Sequence, residues 1–412
     1  MVSTASGIHT KTQEATRTER QSEQPFRLAL LGDFSGRANR GEQREEARLG
    51  GATPLMVDSK SIGEVIERLQ VRLELTLGSE KLSLGFKDLA AFEPARIYES
   101  EGIEQLRKTA GESSGPELLR AVFRDPCFQA LESAWRSVSF LLARLETGSH
   151  LRIELIDITA AELMSDAAAS TDLSASGLYR MLVEEAVGAP GQAAWSVLVS
   201  LHSFTPREQD LLALERLAGI ARIAGAPFLA GAEPAFAGCP SIATMPDSDD
   251  WNQPLENPVR RMWEELRRHS AANWIGLATP RFLLRLPYGA AGQPDEFAFD
   301  EMPDPPLHDG YLWGSPAVAC ACLLGCAFNR YGWNFRPGKI SRLDGLPAHK
   351  YSREGLALST PPAEVALTEG AAERILDEGI MPLVAKMDSD SLQVVRFQSI
   401  AMPPKPLAGP WG

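Results

Sequence analysis

The pattern of apolar and polar positions is clearest in one stretch, residues 125–159. In its first half, apolar side chains recur every three or four residues, which places them on one face of an α-helix: Phe128, Leu131, Trp135, Val138, Leu141, Leu142 and Leu145. The opposite face carries Glu132, Arg136 and Arg144. Asp125 and Pro126 favour a helix start, because aspartate accepts hydrogen bonds from free amides and proline fits the first turn. The pattern predicts an amphipathic helix with Glu132 on its polar face.

A strand follows this helix. Residues 147–149 (Thr-Gly-Ser) are typical of a helix end. From Leu151 to Ile158, apolar and polar residues nearly alternate, which is the period of a β-strand. A helix that runs directly into a strand is a unit of an α/β layer. The sequence therefore predicts an α/β fold, with helices packed on mixed β-sheets.

The first predicted strand begins at Phe26 and runs into a turn that contains Gly32, Gly36 and Gly41. A phosphate-binding loop also follows a strand, so this possibility has to be weighed. The Walker pattern needs two glycines that frame four residues, followed by lysine and then serine or threonine. The turn has no such lysine, and the sequence favours a tight strand-exit turn over a nucleotide site.

Several segments resemble the large subunit of the contractile sheath of type VI secretion systems. The helix and strand at 128–159 resemble the conserved core of that subunit. The segments NWIGLATPRFLLRLPYG (273–289) and DGYLWGSPAVACACLLGCAF (309–328) are the most specific part of the resemblance. The C-terminal quarter, from residue 338 onward, resembles the family at PPAEVALTEGAAERILDEGIMPLVAK. In that quarter we expect one strand, a short helix and two more strands.

An N-terminal part of the chain resembles the sheath small subunit, which is normally a separate protein. The similar segments are LGDFSGR (31–37), VDSKSIGEVIERLQVRLEL (57–75) and LGFKDLAAFEPARI (84–97). Their hydrophobic pattern predicts a short strand, a helix and two further strands after the first strand. The two resemblances together imply that a small and a large sheath subunit are fused in one chain.

The fusion divides the chain into five parts. We expect a disordered lead-in at 1–24, a small-subunit-like part at 25–110, a flexible linker at 111–117, a large-subunit-like core at 118–405 and a tail at 406–412. Neither of the two larger parts shows a closed set of strands by itself, and unpaired strand edges favour aggregation. We therefore expect the two parts to form one continuous α/β body.

Three cysteines, Cys320, Cys322 and Cys326, lie in a segment that is otherwise Ala, Leu, Val and Gly. Cys322 and Cys326 are four residues apart, so both could face one side of a helix and bind a metal. Because no histidine or acid lies near them in the sequence, the segment favours cysteines packed as small apolar residues.

Other polar residues give no catalytic pattern. We interpret His308–Asp309 and Glu184–Glu185 as solvated pairs on a turn or helix face. Arg281 and Arg285 are expected on one face of a strand, where like charges repel. Both arginines should therefore meet acids, either within the fold or in a neighbouring subunit. The sequence predicts no catalytic residue, no cofactor site and no metal site.

Composition restricts the partners. The net charge of −13 disfavours a general nucleic-acid surface, which needs clustered cations. No apolar run is long enough to span a membrane, and the polar N-terminus lacks the apolar core of a signal peptide. Five cysteines in so long a chain do not indicate a disulfide framework. We therefore expect a cytoplasmic protein without nucleic-acid or membrane partners.

The resemblance implies a structural component of a type VI secretion-like contractile apparatus, and not an enzyme. The implied partners are other sheath subunits or copies of the chain itself, and inner-tube or baseplate proteins. In the family, terminal strands that link neighbouring subunits follow the point where this chain ends in MPPKPLAGPWG. Without those linking strands, we expect a monomer or small oligomer. A sheath-derived adaptor or cap that binds the apparatus without polymerising is an alternative. An α/β enzyme of unrecognised type is the remaining alternative, against which stands the lack of a nucleophile and base pattern.

Overall fold

The computed structural model describes residues 24–44, 49, 53–110, 115–169, 172–185, 193–289, 299–303 and 305–411. The lead-in predicted to be disordered and most of the predicted linker lie outside these residues.

A nine-stranded mixed sheet forms the centre of the molecule. The strands of the chain are β1 (Phe26–Gly32), β2 (Leu55–Val57), β3 (Arg72–Leu77), β4 (Glu80–Gly85), β5 (Leu151–Asp157), β6 (Val197–Phe204), β7 (Phe228–Ala232), β8 (Ile275–Thr279), β9 (Phe282–Leu283), β10 (Trp313–Gly314), β11 (Arg342–Leu343), β12 (His349–Arg353), β13 (Leu356–Thr360), β14 (Met381–Ala385) and β15 (Leu392–Val394). The order in the sheet is β11-β15-β14-β8-β7-β6-β1-β5-β2. The strands from β14 to β5 run parallel, whereas β2, β15 and β11 pair antiparallel at the two sides.

Helices cover both faces of this sheet. They are α1 (Ile62–Arg68), α2 (Pro94–Tyr98), α3 (Glu101–Ala110), α4 (Gly115–Arg124), α5 (Pro126–Arg144), α6 (Ala160–Ala169), α7 (Gly177–Tyr179), α8 (Glu208–Ala224), α9 (Val259–Arg268), α10 (Pro316–Tyr331) and α11 (Glu369–Asp377). The apolar sides of α1 to α5 and of α10 pack on one face, together with the β3–β4 hairpin. The helices α6 to α9 and α11 pack on the other face. The predicted α/β fold with helices on a mixed sheet is confirmed.

Strand β1 lies in the middle of the sheet. All seven of its residues are buried, and each has a partner in β5, from Phe26 opposite Leu151 to Gly32 opposite Asp157. Its other edge pairs with β6. A strand that is buried on both faces is typically a continuous apolar run, as FRLALLG nearly is.

The helix predicted after Asp125 is α5, and its start is as expected. The Asp125 carboxylate accepts hydrogen bonds from the amides of Cys127 and Phe128, and Pro126 occupies the first turn. Trp135 on this helix donates its indole N–H to the carbonyl of Phe34 at 2.9 Å, which fixes the loop after β1 against α5.

The prediction for the C-terminal quarter was wrong in one respect. Three strands, β11, β12 and β13, precede helix α11, where the sequence predicted one. The hairpin of β12 and β13 is a separate two-stranded sheet whose residues are mostly exposed, with Leu356 66% exposed. Because neither face of the hairpin is consistently buried, it lacks the apolar–polar alternation that identifies a strand.

Within the described part of the chain, no helix has the length and apolarity that crossing a membrane requires.

Candidate functional site at the carboxyl edge of the central sheet

A crevice of about 490 Å³ lies at the carboxyl ends of the central strands. After β1 the chain turns to the α5 face, where Phe34 packs against Trp135 with 5.6 Å between ring centroids. After β5 and β6 it enters α6 and α8 on the opposite face. Neighbouring strands whose connections leave in opposite directions open a crevice between them, and in α/β sheets ligands bind there. The crevice is therefore the first place to look for a functional site.

The turn after β1 is filled by carboxylates of the chain itself. The amides of Phe34 and Ser35 donate to Oδ1 of Asp157, at 2.9 and 3.0 Å. Asp33 accepts from the amides of Arg37 and Ala38. Since these amides already bind carboxylates, they cannot hold a phosphate at the same time. The structure therefore has the tight strand-exit turn that the sequence favoured.

Arginine 37 joins this turn to the start of helix α6. Its guanidinium contacts Asp157 at 3.0 Å and Glu162 at 2.5 Å. Burial alone would raise the pKa of Glu162, but hydrogen bonds from Arg37 and from the Thr159 amide outweigh burial and lower this pKa. Both carboxylates thus form ion pairs with Arg37 that hold the turn against the end of β5 and the start of α6.

A second ionic group lies beside the crevice, around Glu364. Arg281 contacts Glu364 at 2.6 Å, and Nε2 of His308 lies 3.2 Å from the same carboxylate. The hydrogen bond with Glu364 raises the pKa of His308 despite its partial burial. Burial of Glu364 acts to raise its pKa, but His308 and Arg281 lower it to about 2. The interpretation of His308–Asp309 as a solvated pair was wrong for His308, which is also stacked on Trp313 with ring centroids 5.2 Å apart.

The third ionic group is buried under the α5 face. Arg285 donates to Glu132 at 2.7 and 3.0 Å and to Glu301 at 2.7 and 3.0 Å. Burial acts to lower the pKa of Arg285, but the two carboxylates raise it well above its usual value. The prediction that Glu132 lies on a polar face of the helix was wrong, because its side chain is fully buried against Arg285. Arg281 and Arg285 thus meet acids within the fold.

The cysteines of helix α10 lie in the core. Cys320 and Cys322 are buried, and burial raises the pKa of Cys320 to about 12. Cys322 and Cys326 lie one helical turn apart, and the thiol of Cys326 donates to the carbonyl of Arg144 at 3.9 Å. Among the residues that the structure describes, no group of three or more His, Cys, Asp or Glu side chains could hold a metal ion. Glu184 and Glu185 are exposed, in agreement with a solvated helix face.

The arginines of these ionic groups could be identified from the sequence, but their acidic partners could not. Glu132, Glu301 and Glu364 come from segments far apart in the sequence, and Glu132 is 153 residues from Arg285. A single acid inside an otherwise apolar stripe is the only signal that the sequence offers for such a partner.

The chain is similar to known tail-sheath proteins. The family model described as EvpB/VC_A0108, tail sheath N-terminal domain (VipB), matches residues 115–401. The type VI secretion system sheath protein TssC1 of Pseudomonas aeruginosa is 31% identical over 284 residues, which cover 67% of this chain and 57% of that relative. The match thus spans little more than half the length of the relative.

Replacing Arg285 tests the buried ionic group. In Arg285→Met the side chain keeps much of its volume, but Glu132 and Glu301 remain buried without a cation. We expect the free energy of unfolding to fall by about 3–5 kcal/mol, the usual cost of breaking a buried ion pair. Chemical denaturation monitored by circular dichroism measures this loss. The matched control is Arg342→Met, since Arg342 pairs with Asp344 at the exposed surface and its loss should leave stability nearly unchanged. Equal stability of the two variants would contradict the structural role of Arg285.

The raised pKa of His308 gives a pH dependence with a definite sign. Protonation is favoured in the folded state, so the stabilisation by His308 is complete below its unfolded pKa of 6.5 and is lost as the pH rises through the folded pKa. We expect His308→Gln to lower the melting temperature at about pH 6 and to have little effect at about pH 9. The exposed His150 provides the control variant His150→Gln. An equal loss for His308→Gln at both pH values would show that shape, and not charge, is what His308 contributes.

Proposed function

The chain belongs to the tail-sheath family of type VI secretion systems, and from this we propose that it is a structural component of a contractile injection apparatus. The family match over residues 115–401 carries the proposal. The family is structural, so the chain is not an enzyme, as its sequence predicts. Its proposed partners are other sheath subunits or copies of itself, and inner-tube or baseplate proteins of the apparatus.

We propose further that the chain combines a small-subunit-like part with the large-subunit core. The support comes from the position of β1. Residues 26–32 lie outside the matched region, yet they occupy the centre of a sheet whose neighbouring strands, β5 and β6, lie inside it. The matched region therefore needs a strand from elsewhere between β5 and β6, and here the same chain supplies it.

Strand β1 is needed for an energetic reason: without it, main-chain N–H and C=O groups of β5 and β6 would lack partners. Unpaired N–H and C=O groups in a buried sheet cost free energy comparable to lost hydrogen bonds. Strand β1 pairs with β5 over seven residues and with β6 over four. Its side chains Phe26, Leu28 and Leu30 are fully buried in the core on the α5 face. Covalent linkage gives β1 a high effective concentration for this position and fixes a one-to-one ratio of the two parts.

Assembly is the direct test of the sheath proposal. We expect the purified protein to co-assemble with type VI sheath subunits into ordered particles visible by negative-stain microscopy and to sediment with them. Regular tubes formed by this chain alone would identify a self-sufficient sheath subunit. Binding only at the ends of preformed sheaths would identify the adaptor or cap. Failure to associate with sheath or inner-tube subunits at high protein concentration and low salt would contradict the proposal.

The fusion is tested by cutting the chain between its two parts. A protease site placed in residues 111–114 should be cleaved without separating the fragments, because β1 is paired on both edges. Gel filtration of the cleaved protein should give one peak that contains both fragments.

Two matched variants give this experiment its control. Leu30→Asp places a charge in the buried β1 and should release the N-terminal fragment after cleavage. The same change at Leu356, which is 66% exposed, should not. Two separate folded fragments from the unmodified sequence would show independent domains and contradict the proposal that β1 completes the sheet of the large-subunit core.

A further inference from the structure

Three helices begin at the crevice described above. Pro126 and Cys127 of α5, Thr159 and Ala160 at the start of α6, and Ser315 just before α10 all line it. The three helices are 19, 10 and 16 residues long. A helix N-terminus carries a partial positive charge and free amide donors, and both favour an anion. The N-termini of three helices therefore face one crevice.

Two of these helix starts are already capped by the chain. At α5, the Asp125 carboxylate accepts from the amides of Cys127 and Phe128. At α6, Thr159 accepts from the Glu162 amide and Glu162 accepts from the Thr159 amide, which is a capping box. These two termini therefore have little demand left for an external anion.

The third helix start has no side-chain cap, and the Val318 amide in its first turn bonds to the Ser315 carbonyl at 3.0 Å. Ser315 occupies the capping position of α10 but makes no side-chain hydrogen bond to the helix. Its residue is 8% exposed, and within the described part of the chain its hydroxyl has no partner. An unsatisfied buried hydroxyl costs free energy, and serine at this position normally accepts a bond from the first turn. This hydroxyl lines a crevice from which a ligand could satisfy it.

The start of α10 lies over the ends of β6 and β7. Gly231 of β7 packs closely against Ser203 of β6 and Pro316 of α10. A Cβ atom added to Gly231 would lie 2.4 Å from Oγ of Ser203 and 3.5 Å from Cδ of Pro316. Arg281 lines the same crevice from the end of β8. Its Nη2 atom is bonded to Glu364, whereas Nε and Nη1 have no partner among the residues described. A cation with free donors thus lies near the uncapped helix start.

We propose that the crevice binds the acidic head of a small amphipathic molecule, a carboxylate or a phosphate monoester, at Ser315, Arg281 and the first turn of α10. The apolar body of the ligand lies against a wall of aliphatic side chains: Leu73, Ala130, Ala134, Leu163, Leu201 and Leu312. The crevice of about 490 Å³ is of the size that encloses small organic ligands.

Four acidic residues line the crevice or lie near Arg281: Asp33, Glu233, Asp309 and Glu364. Burial raises the pKa of Glu233, and the Asp309 side chain is fully exposed to solvent, which screens its charge. Asp33 follows β1, three strands from β8, or roughly 14 Å at the usual strand spacing. Its carboxylate is bound by two backbone amides. Glu364 is neutralised by Arg281 and His308. His202 also lines the crevice, and burial lowers its pKa, so near neutral pH its ring is uncharged and does not bind the anion as a cation.

Calorimetry with simple probes tests the site. Phenyl phosphate and benzoate combine an acidic head with an apolar body, inorganic phosphate has only the head, and benzylamine has the opposite charge. We expect either aromatic acid to bind more tightly than inorganic phosphate, and benzylamine not to bind. The tighter of the two acids identifies the preferred head group. No binding of either aromatic acid, or binding of benzylamine alone, would overturn the proposal.

Matched serine variants locate the bound head group. Ser315→Ala should weaken binding of the preferred acid about tenfold, as expected for one lost hydrogen bond to an anion. Ser137→Ala is the control, because Ser137 is also fully buried with an unpartnered hydroxyl in the described structure but does not line the crevice. Equal affinities of the Ser315 and Ser137 variants would overturn the assignment to α10.

Cys127 reports on occupation of the crevice independently of affinity. It is an exposed thiol on the crevice wall, whereas Cys239, Cys320 and Cys322 are buried and Cys326 is half-buried. The preferred acid should slow the reaction of Cys127 with a thiol reagent such as a dithiobis-nitrobenzoate. The variant Cys127→Ser identifies which part of the signal belongs to this residue. Binding without any protection of Cys127 would place the ligand elsewhere and overturn the proposal.

Discussion

The pairing of β1 with both β5 and β6 is the interaction on which the rest of the molecule depends. Parallel strands in the centre of a sheet exchange hydrogen bonds on two edges, and a missing neighbour leaves buried N–H and C=O groups unsatisfied. Once β1 is in place, its exit loop meets Asp157 at the end of β5 and Trp135 on α5. One strand therefore completes the sheet, anchors the long helix and shapes the crevice.

Charge is used inside this fold to position loops. Arg37, Arg281 and Arg285 each bind carboxylates that are nearly buried, and each joins segments distant in the sequence. Buried ion pairs of this kind contribute little net stability but are costly to break, so they favour one arrangement over similar ones. Because these arginines and carboxylates bind each other, they are occupied in holding the fold together, which agrees with a structural family.

The features that could be predicted from the sequence are those with a local pattern. Helix α5 and strand β5 have clear periods, and Leu211, Leu214 and Leu217 of α8 are buried as the spacing of a helix requires. Glu132 was misplaced because it lies four residues after Phe128 and three before Trp135, which puts it beside the apolar stripe and not opposite to it. The cation that pairs with it there is 153 residues away and gives no local signal. The crevice could not be predicted, since it forms only where the ends of several strands and helices meet.

The central position of β1 has a consequence for synthesis on the ribosome. Arg27 donates its amide hydrogen to the hydroxyl of Ser196, 169 residues later in the chain, and its guanidinium pairs with Glu154, 127 residues later. Strand β1 therefore emerges before β5 and β6 and stays unpaired until both have been made. Contacts between residues so far apart form slowly, and an apolar strand exposed meanwhile is prone to aggregate. During that interval, β1 is a defined segment of the nascent chain that a chaperone could protect from aggregation.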